Sequence, residues 1–464
     1  MKKLFPVFLL ILFSCNQKKE TNPLAKQLDE FLAGQQKYYR FNGNVLVAEK
    51  GEIILQKSYG YANFDNQRML NDSSVFELAS VSKQFTATGI LLLKDKGKLS
   101  LTDSLRKFFP ELPYSNITIQ HLLTHTSGLP DYFWLMIEKW DHKKIAYNMD
   151  VIALLAKEKP PSVFAPGTRW EYSNTAFVIL ATIIEKISGQ SFKDYMRENI
   201  FQPLQMKHTL IYNTRRLKKD TVPNYAYGFN YNDSLKKFVL PDNDPATQFV
   251  IYMDGIQGDG IVNSTTSDLL KWDRAVKNHT LLTEATQNEM LKGQSLSDTV
   301  NKTYYGYGVG ISKNDFGNII SHSGGWPGYT TYLARNTDKD QTYIILSNNN
   351  ANSPGLSNVL QHIMARKPVV MPYEHKETVM DSATLNAFTG RYMALNEIKL
   401  ERRGAKLFRV LPNGSELELK PESANKFFYN DGSDWQIEFE VDANKKITKA
   451  WFIVIGLKTE MKKL

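Results

Sequence analysis

The order of periodicities along this chain constrains its fold more than any single motif does. Residues 24–32 carry helical spacing through Leu24, Leu28, Phe31 and Leu32, and two strand-like runs, 44–48 and 53–62, follow as a hairpin around Glu49-Lys50-Gly51-Glu52. A long helix is predicted over 80–96, stopped by Gly97 after a Lys-rich last turn. Further helices are predicted over 119–123, 151–157, 174–187, 192–199, 266–276 and 357–366. Alternating runs at 304–311, 318–322, 329–334 and 342–347 lie between the last two. A hairpin, then helices, then a strand meander fits neither regular strand–helix alternation nor an all-strand chain. The predicted class is α+β, a sheet packed with helices.

The chain of 464 residues is long enough for two or three domains, and its 42% hydrophobic content is enough for a large core. Composition shifts near 367–376. Beyond it, 380–464 reads as short alternating strands with turns at Arg403-Gly404, Asn413-Gly414, Asn430-Asp431-Gly432 and Ala443-Asn444. That segment is expected to be a small β-rich domain, a partial barrel. The net charge of +9 is spread in short pieces such as Arg215-Arg216-Leu217-Lys218-Lys219, with no basic arm and no nucleic-acid-binding motif. A nucleic-acid partner is therefore not expected, and the mildly cationic surface suits an anionic membrane or wall.

The N-terminus carries an address. Met1-Lys2-Lys3 precedes an apolar run over 4–13 and then Ser14-Cys15. That run is too short to span a bilayer but suits a secretory signal, and its Leu-Phe-Ser-Cys ending resembles a bacterial lipoprotein signal. Cys15, the chain's one cysteine, is then the expected lipidation site and membrane anchor, with 1–15 as signal peptide and 16–23 as polar tether. An ordinary cleaved signal is the alternative. The expected location is exported and lipid-anchored in the bacterial cell envelope, on the outer membrane or facing the periplasm.

Three motifs carry chemistry. Ser80-Val81-Ser82-Lys83 sets a hydroxyl and an amine one helical turn apart, where the helix dipole favours a developing alkoxide and burial weakens the amine's hold on its proton. The same spacing recurs at Ser104, Ser234 and Ser423, but only Ser80 lies between apolar segments that would bury the pair. Tyr172-Ser173-Asn174 offers a phenol that can shuttle a proton and an amide that can orient Lys83 or hold a substrate amide. His322-Ser323-Gly324-Gly325 ends a strand with glycines that admit a ligand to the backbone. Each motif alone is equally well read as a helix cap, a packed tyrosine or a glycine-rich turn.

Taken in order, Ser80-x-x-Lys83, Tyr172-x-Asn174 and His322-x-Gly324 resemble the class C β-lactamase and D,D-peptidase family, with its esterase and D-aminopeptidase relatives. The flanking His125-Thr126-Ser127-Gly128-Leu129, Pro166-Gly167 and Gly260-Ile261-Val262-Asn263-Ser264-Thr265 agree with it. The resemblance implies a β-lactamase/transpeptidase-like domain over 24–370, with a helical subdomain, and a lipocalin-like accessory domain over 380–464. It implies catalytic Ser80, Lys83 and Tyr172, substrate-binding Asn174, His322, Gly324 and Gly325, and an oxyanion held by the N–H groups of Ser80 and Gly325. No phosphate-cradling or dinucleotide-binding motif occurs, so no cofactor is expected, and no metal either; His121 and His125 have the spacing of zinc ligands but lack the intervening Glu of a metalloprotease. The expected partner is a small-molecule or peptide acyl substrate, one source of which is the cell wall. His322 stands where the β-lactamases usually carry Lys, so efficient β-lactam hydrolysis is not expected. A penicillin- or wall-binding lipoprotein without turnover, and an acyltransferase with the same nucleophile, are the alternatives. Specificity is expected in loops over 131–141 and 224–258.

Overall fold

The computed structural model describes residues 22–212 and 222–464, except Leu395 and Lys445. The signal peptide with Cys15, most of the tether and the basic piece Arg215–Lys219 lie outside the described residues. The last two tether residues belong to a helix start instead: the Asn22 side chain caps the helix Pro23–Tyr39 by accepting the Leu24 N–H at 3.0 Å.

An eight-stranded antiparallel sheet forms the body. In spatial order its strands are Ser295–Asp298, Thr303–Tyr305, Gly310–Asn314, Gly317–Trp326, Tyr329–Asn336, Gln341–Ser347, Gly43–Glu49 and Glu52–Tyr59. The N-terminal hairpin thus closes onto the end of the late meander, with Val45 opposite Ile345. The strand Gly43–Glu49 is buried almost throughout because both faces of the sheet are covered. Val45 and Val47 pack with Phe31, Leu356 and Ile363 under the helices Pro23–Tyr39 and Ser353–Met364. Leu46 and Ala48 point the other way, into the large core of the helices Lys83–Asp95, Asn174–Ser188 and Thr266–Lys277.

Several expected boundaries move for identifiable reasons. The run 53–62 breaks at Gly60, whose φ of 84° turns the chain, so Tyr61–Asn63 pairs with Arg68–Met69 instead. The run 304–311 is two antiparallel strands folded about 306–309. Residues 131–141, expected as a loop, hold the helix Tyr132–Lys139, capped by the Asp131 side chain. Ser80 does not open the α-helix; it sits in a single 3-10 turn, Ala79–Ser82, just ahead of it.

The C-terminal strands, Gly390–Met393 through Leu457–Lys463, form a closed eight-stranded barrel rather than a partial one. Tyr392 pairs with Lys463 and seals the edge. Ile398 and Leu400 point inward while Lys399 and Glu401 point out, and Phe427, Phe439 and Tyr392 help to fill the interior. The barrel docks on the sheet face opposite the helix Lys83–Asp95: Ile455 joins the Phe31 cluster and Gln35 Nε2 donates to Asp434 at 2.8 Å.

Candidate active site

The turn bearing Ser80 is held from three sides. Leu78 N–H donates to the Val262 carbonyl at 2.8 Å, Val262 N–H donates to Ser82 Oγ at 3.1 Å, and Thr331 Oγ1 donates to the Leu78 carbonyl at 2.7 Å. Ala79 takes a φ of 48°, a left-handed conformation that costs a non-glycine residue energy and that this bracing holds in place. Gly324 passes directly beneath: a Cβ there would sit 2.1 Å from the Leu78 carbonyl oxygen and 2.2 Å from Thr331 Oγ1. The glycine of the third motif is therefore required by the close approach of strand to turn.

Lys83 is fully buried, and its Nζ has three acceptors: Asp259 carbonyl oxygen at 2.7 Å, Asn174 Oδ1 at 2.9 Å and Ser80 Oγ at 3.2 Å. The first two can only accept, so each takes an N–H from Lys83 whatever its charge. The third position faces the Ser80 hydroxyl and carries the third proton in the ammonium, or the lone pair in the amine. One proton can thus pass along the Ser80–Lys83 line without rearranging anything else. Asn174 gives its side-chain oxygen to Lys83, and its amide lies on the Asp131 side, where it helps to hold that carboxyl down against burial.

Tyr172 is half-buried, with its ring centroid 4.9 Å from Lys83 Nζ and 4.3 Å from the ring of His125. Sequence reasoning passed over His125 as a weak metal ligand. It is fully buried, its Nδ1 accepts the Ser173 N–H at 3.1 Å, and burial, then the Lys83 charge, hold it well below the usual histidine range. The helix of His121 ends at Leu123, and the two histidines do not share one helical face. Among the described residues no cluster suited to a metal ion occurs.

His322 is also neutral. Its Nδ1 donates to the Ser323 carbonyl at 2.6 Å and its Nε2 accepts from the Tyr305 hydroxyl at 2.9 Å. Burial, reinforced by Lys83, holds it down to about 4. The imidazole ring lies 6.3 Å from the Tyr172 ring and carries no charge near neutral pH.

A cleft of about 580 Å³ opens over Ser80, lined also by Asn174, Asp259 and Gly325. Its apolar wall is Phe133, Phe249, Met253 and Trp326, with Phe249 edge-on to both other aromatic rings. Among the described lining residues there is no Lys or Arg, whereas Glu77, Asp254 and Asp259 are present. Asp259 is the residue sequence reasoning missed, and Tyr132 was expected only as an aromatic of the cleft, not as a hydrogen-bond donor. The Tyr132 hydroxyl donates to Asp259 Oδ2 at 2.9 Å, a pairing across more than a hundred residues that no local pattern announces.

Residues 27–362 match the Beta-lactamase family. The chain belongs to that family. It is 38% identical over 424 residues to Penicillin-binding protein 4* of Bacillus subtilis, covering 89% of this chain and 92% of that one. It is 27% identical to a putative penicillin-binding protein, PbpX, of the same organism over 69% of this chain and 73% of the other. Among solved structures, a penicillin-binding protein from Bacillus halodurans superposes with a TM-score of 0.64 at 26% identity, covering 74% of this chain and 99% of that one. An octameric penicillin-binding protein homologue from Pyrococcus abyssi covers 94% of this chain and 99% of its own, with a TM-score of 0.67 at 23% identity, a likeness of fold. Members of the family work as serine hydrolases, and this chain is one of them.

Proposed function

We propose that Ser80 is the nucleophile of a lipid-anchored envelope hydrolase that opens an amide or ester bond through an acyl-enzyme. The observation that carries this reading is the Lys83 amine, pinned by two obligatory acceptors with its remaining valence aimed at Ser80 Oγ. Lys83 takes the Ser80 proton as Oγ bonds to the acyl carbon. The N–H groups of Ser80 and Gly325 hold the oxyanion, with Gly324 keeping strand and turn close enough for both to reach it. Tyr172 relays the proton to the departing amine or alcohol, then helps a water attack the acyl-enzyme. Asn174 holds Lys83 and offers its amide to the substrate.

His322, held to about 4 by burial, supplies no cation near neutral pH where the β-lactamases usually carry Lys. Peptidase, amidase or esterase chemistry fits better than efficient β-lactam hydrolysis, and relatives named as penicillin-binding proteins support acylation of Ser80 by a penicillin. Export and lipidation at Cys15 rest on the leader sequence; Cys15→Ala should release the protein from the membrane fraction. For the chemistry, Ser80→Ala should abolish both labelling by a fluorescent penicillin and the burst with a p-nitrophenyl ester. An undiminished burst would refute the assignment, and a panel of D-amino-acid peptides, esters and β-lactams would rank the substrates.

A further inference from the structure

Lys83 contacts Asp259 only through its backbone carbonyl, yet the side chain of Asp259 lines the same cleft and is itself engaged. Its Oδ2 accepts from Tyr132, whose backbone N–H donates to Thr175 Oγ1 at 2.8 Å, so the hydroxyl is delivered by a helix start tied to the Asn174 helix. Asp131 caps that helix start by accepting the Phe133 N–H at 2.9 Å. Two carboxyls, on separate segments, therefore flank one buried amine. Both are pushed up from the usual carboxylate range by burial and drawn back by Lys83, and Asp259 adds to the rise at Asp131.

We infer that Asp259 is a positioning residue for Lys83 whose side-chain charge, backed by Asp131, sets the acid limit of Ser80 acylation. This inference rests on the Lys83–Ser80 reading above. The carbonyl fixes where the amine points, and the carboxyl carries a negative charge on the same residue. A negative charge beside Lys83 favours the ammonium, which cannot accept the Ser80 proton. Among the described residues, the charged or titratable groups around Asp259 are Lys83 from its helix, Tyr132 and Asp131 from the next, and Glu77 and Asp254, which line the same cleft. The other polar groups around it are Ser80 from the 3-10 turn, Asn174 from its helix and the adjoining Gly260 N–H. Tyr132 and Gly260 stabilise the carboxylate by donating to it, so they strengthen its hold on Lys83.

The test is the pH profile of kcat/KM with a neutral p-nitrophenyl ester. Asp259→Asn keeps the backbone carbonyl and an oxygen for Tyr132 but removes the charge. The acid limb should move down by about one pH unit, so that on that limb the variant outpaces the wild type by roughly tenfold. Tyr132→Phe leaves the carboxyl but deletes its donor, and should move the limb the same way by less. It also serves as the informative variant if Asp259→Asn does not fold. A limb that stays put in whichever variants fold, or moves upward, overturns the inference even if turnover falls, since a merely structural role lowers rate without moving the profile. Absence of any wild-type burst would strike the Ser80 assignment instead, so the two failures are distinguishable.

Discussion

The helix Thr266–Lys277 and the turn before the helix Lys83–Asp95 both bury charge beside the main sheet, and they satisfy it in opposite ways. At the first, Asp273 accepts from Arg335 Nε at 2.6 Å, Thr342 Oγ1 at 2.7 Å and Arg274 Nε at 2.8 Å, and Arg274 reaches on to Asp340 at 2.8 Å. Each charge meets its opposite, and hydrogen bonding from Arg274 holds the Asp340 carboxyl down to about 2. At the second, Lys83 is buried against a carbonyl, an amide and a hydroxyl, beside two carboxyls pushed upward and two neutral imidazoles. His125 Nε2 has no hydrogen-bond partner among the described residues. Opposite charges lock the first network, so its protons do not move. In the second the amine has no ion pair among the described residues and is held in contact by dipoles, with the two carboxyls acting from farther off, which costs stability but leaves its protons exchangeable.

Substitutions can break this contrast. The largest effect is expected from Lys83→Met, which should cut kcat/KM for acylation on the order of 10⁴-fold while thermal melting stays within a few degrees of wild type. A variant that melts early instead would make Lys83 a structural charge like Arg335. Asp273→Ala should do the reverse. It strands Arg335, only 7% exposed, and should cost about 3–5 kcal/mol in denaturant titration. The fraction that remains folded should keep the wild-type pH profile of acylation.

Acid titration sharpens the comparison further. His322 is held to about 4 in the folded protein against 6.5 for an unperturbed histidine. Above pH 6.5 neither state binds the proton and the full stability is present. Between 6.5 and about 4 the unfolded chain takes up a proton that the folded one refuses, so stability is lost as pH falls, by on the order of 3 kcal/mol. His125, also lowered, adds in the same direction. Denaturation midpoints across that window should fall in the wild type and fall less in His322→Asn; equal slopes would remove His322 from the account. The smallest effect is expected from Tyr305→Phe, which takes one donor from His322 and should cost about 1 kcal/mol in the same denaturation measurement.

Much of the site was legible before any coordinates, because Ser80, Lys83, Tyr172 and Asn174 belong to short motifs whose spacing reflects single turns and helix starts. The hairpin, the helix Asn174–Ser188 and the alternating barrel strands were legible for a related reason: each is a local periodicity with one buried side. Less was legible where a long-range partner makes the decision. Residues 132–139 read as an aromatic loop because Phe133, Trp134 and Leu135 give no clean stripe; the helix is set by its Asp131 cap and by Thr175. His322 was legible only as a departure from the usual Lys, and Tyr305, Ser323 and burial are what make it a neutral acceptor.

The sequence by itself determined which side chains could do the chemistry, the α+β order of the elements and the pattern of inward and outward residues in the C-terminal strands. These follow from propensity and period, which act over a few residues. Tertiary structure alone decided closure of the barrel, the burial that keeps His125 and His322 neutral, and the placing of Asp259 and Tyr132 beside Lys83. Those depend on free energies of desolvation and contact between segments far apart in the chain, and such energies exist only once the chain has folded.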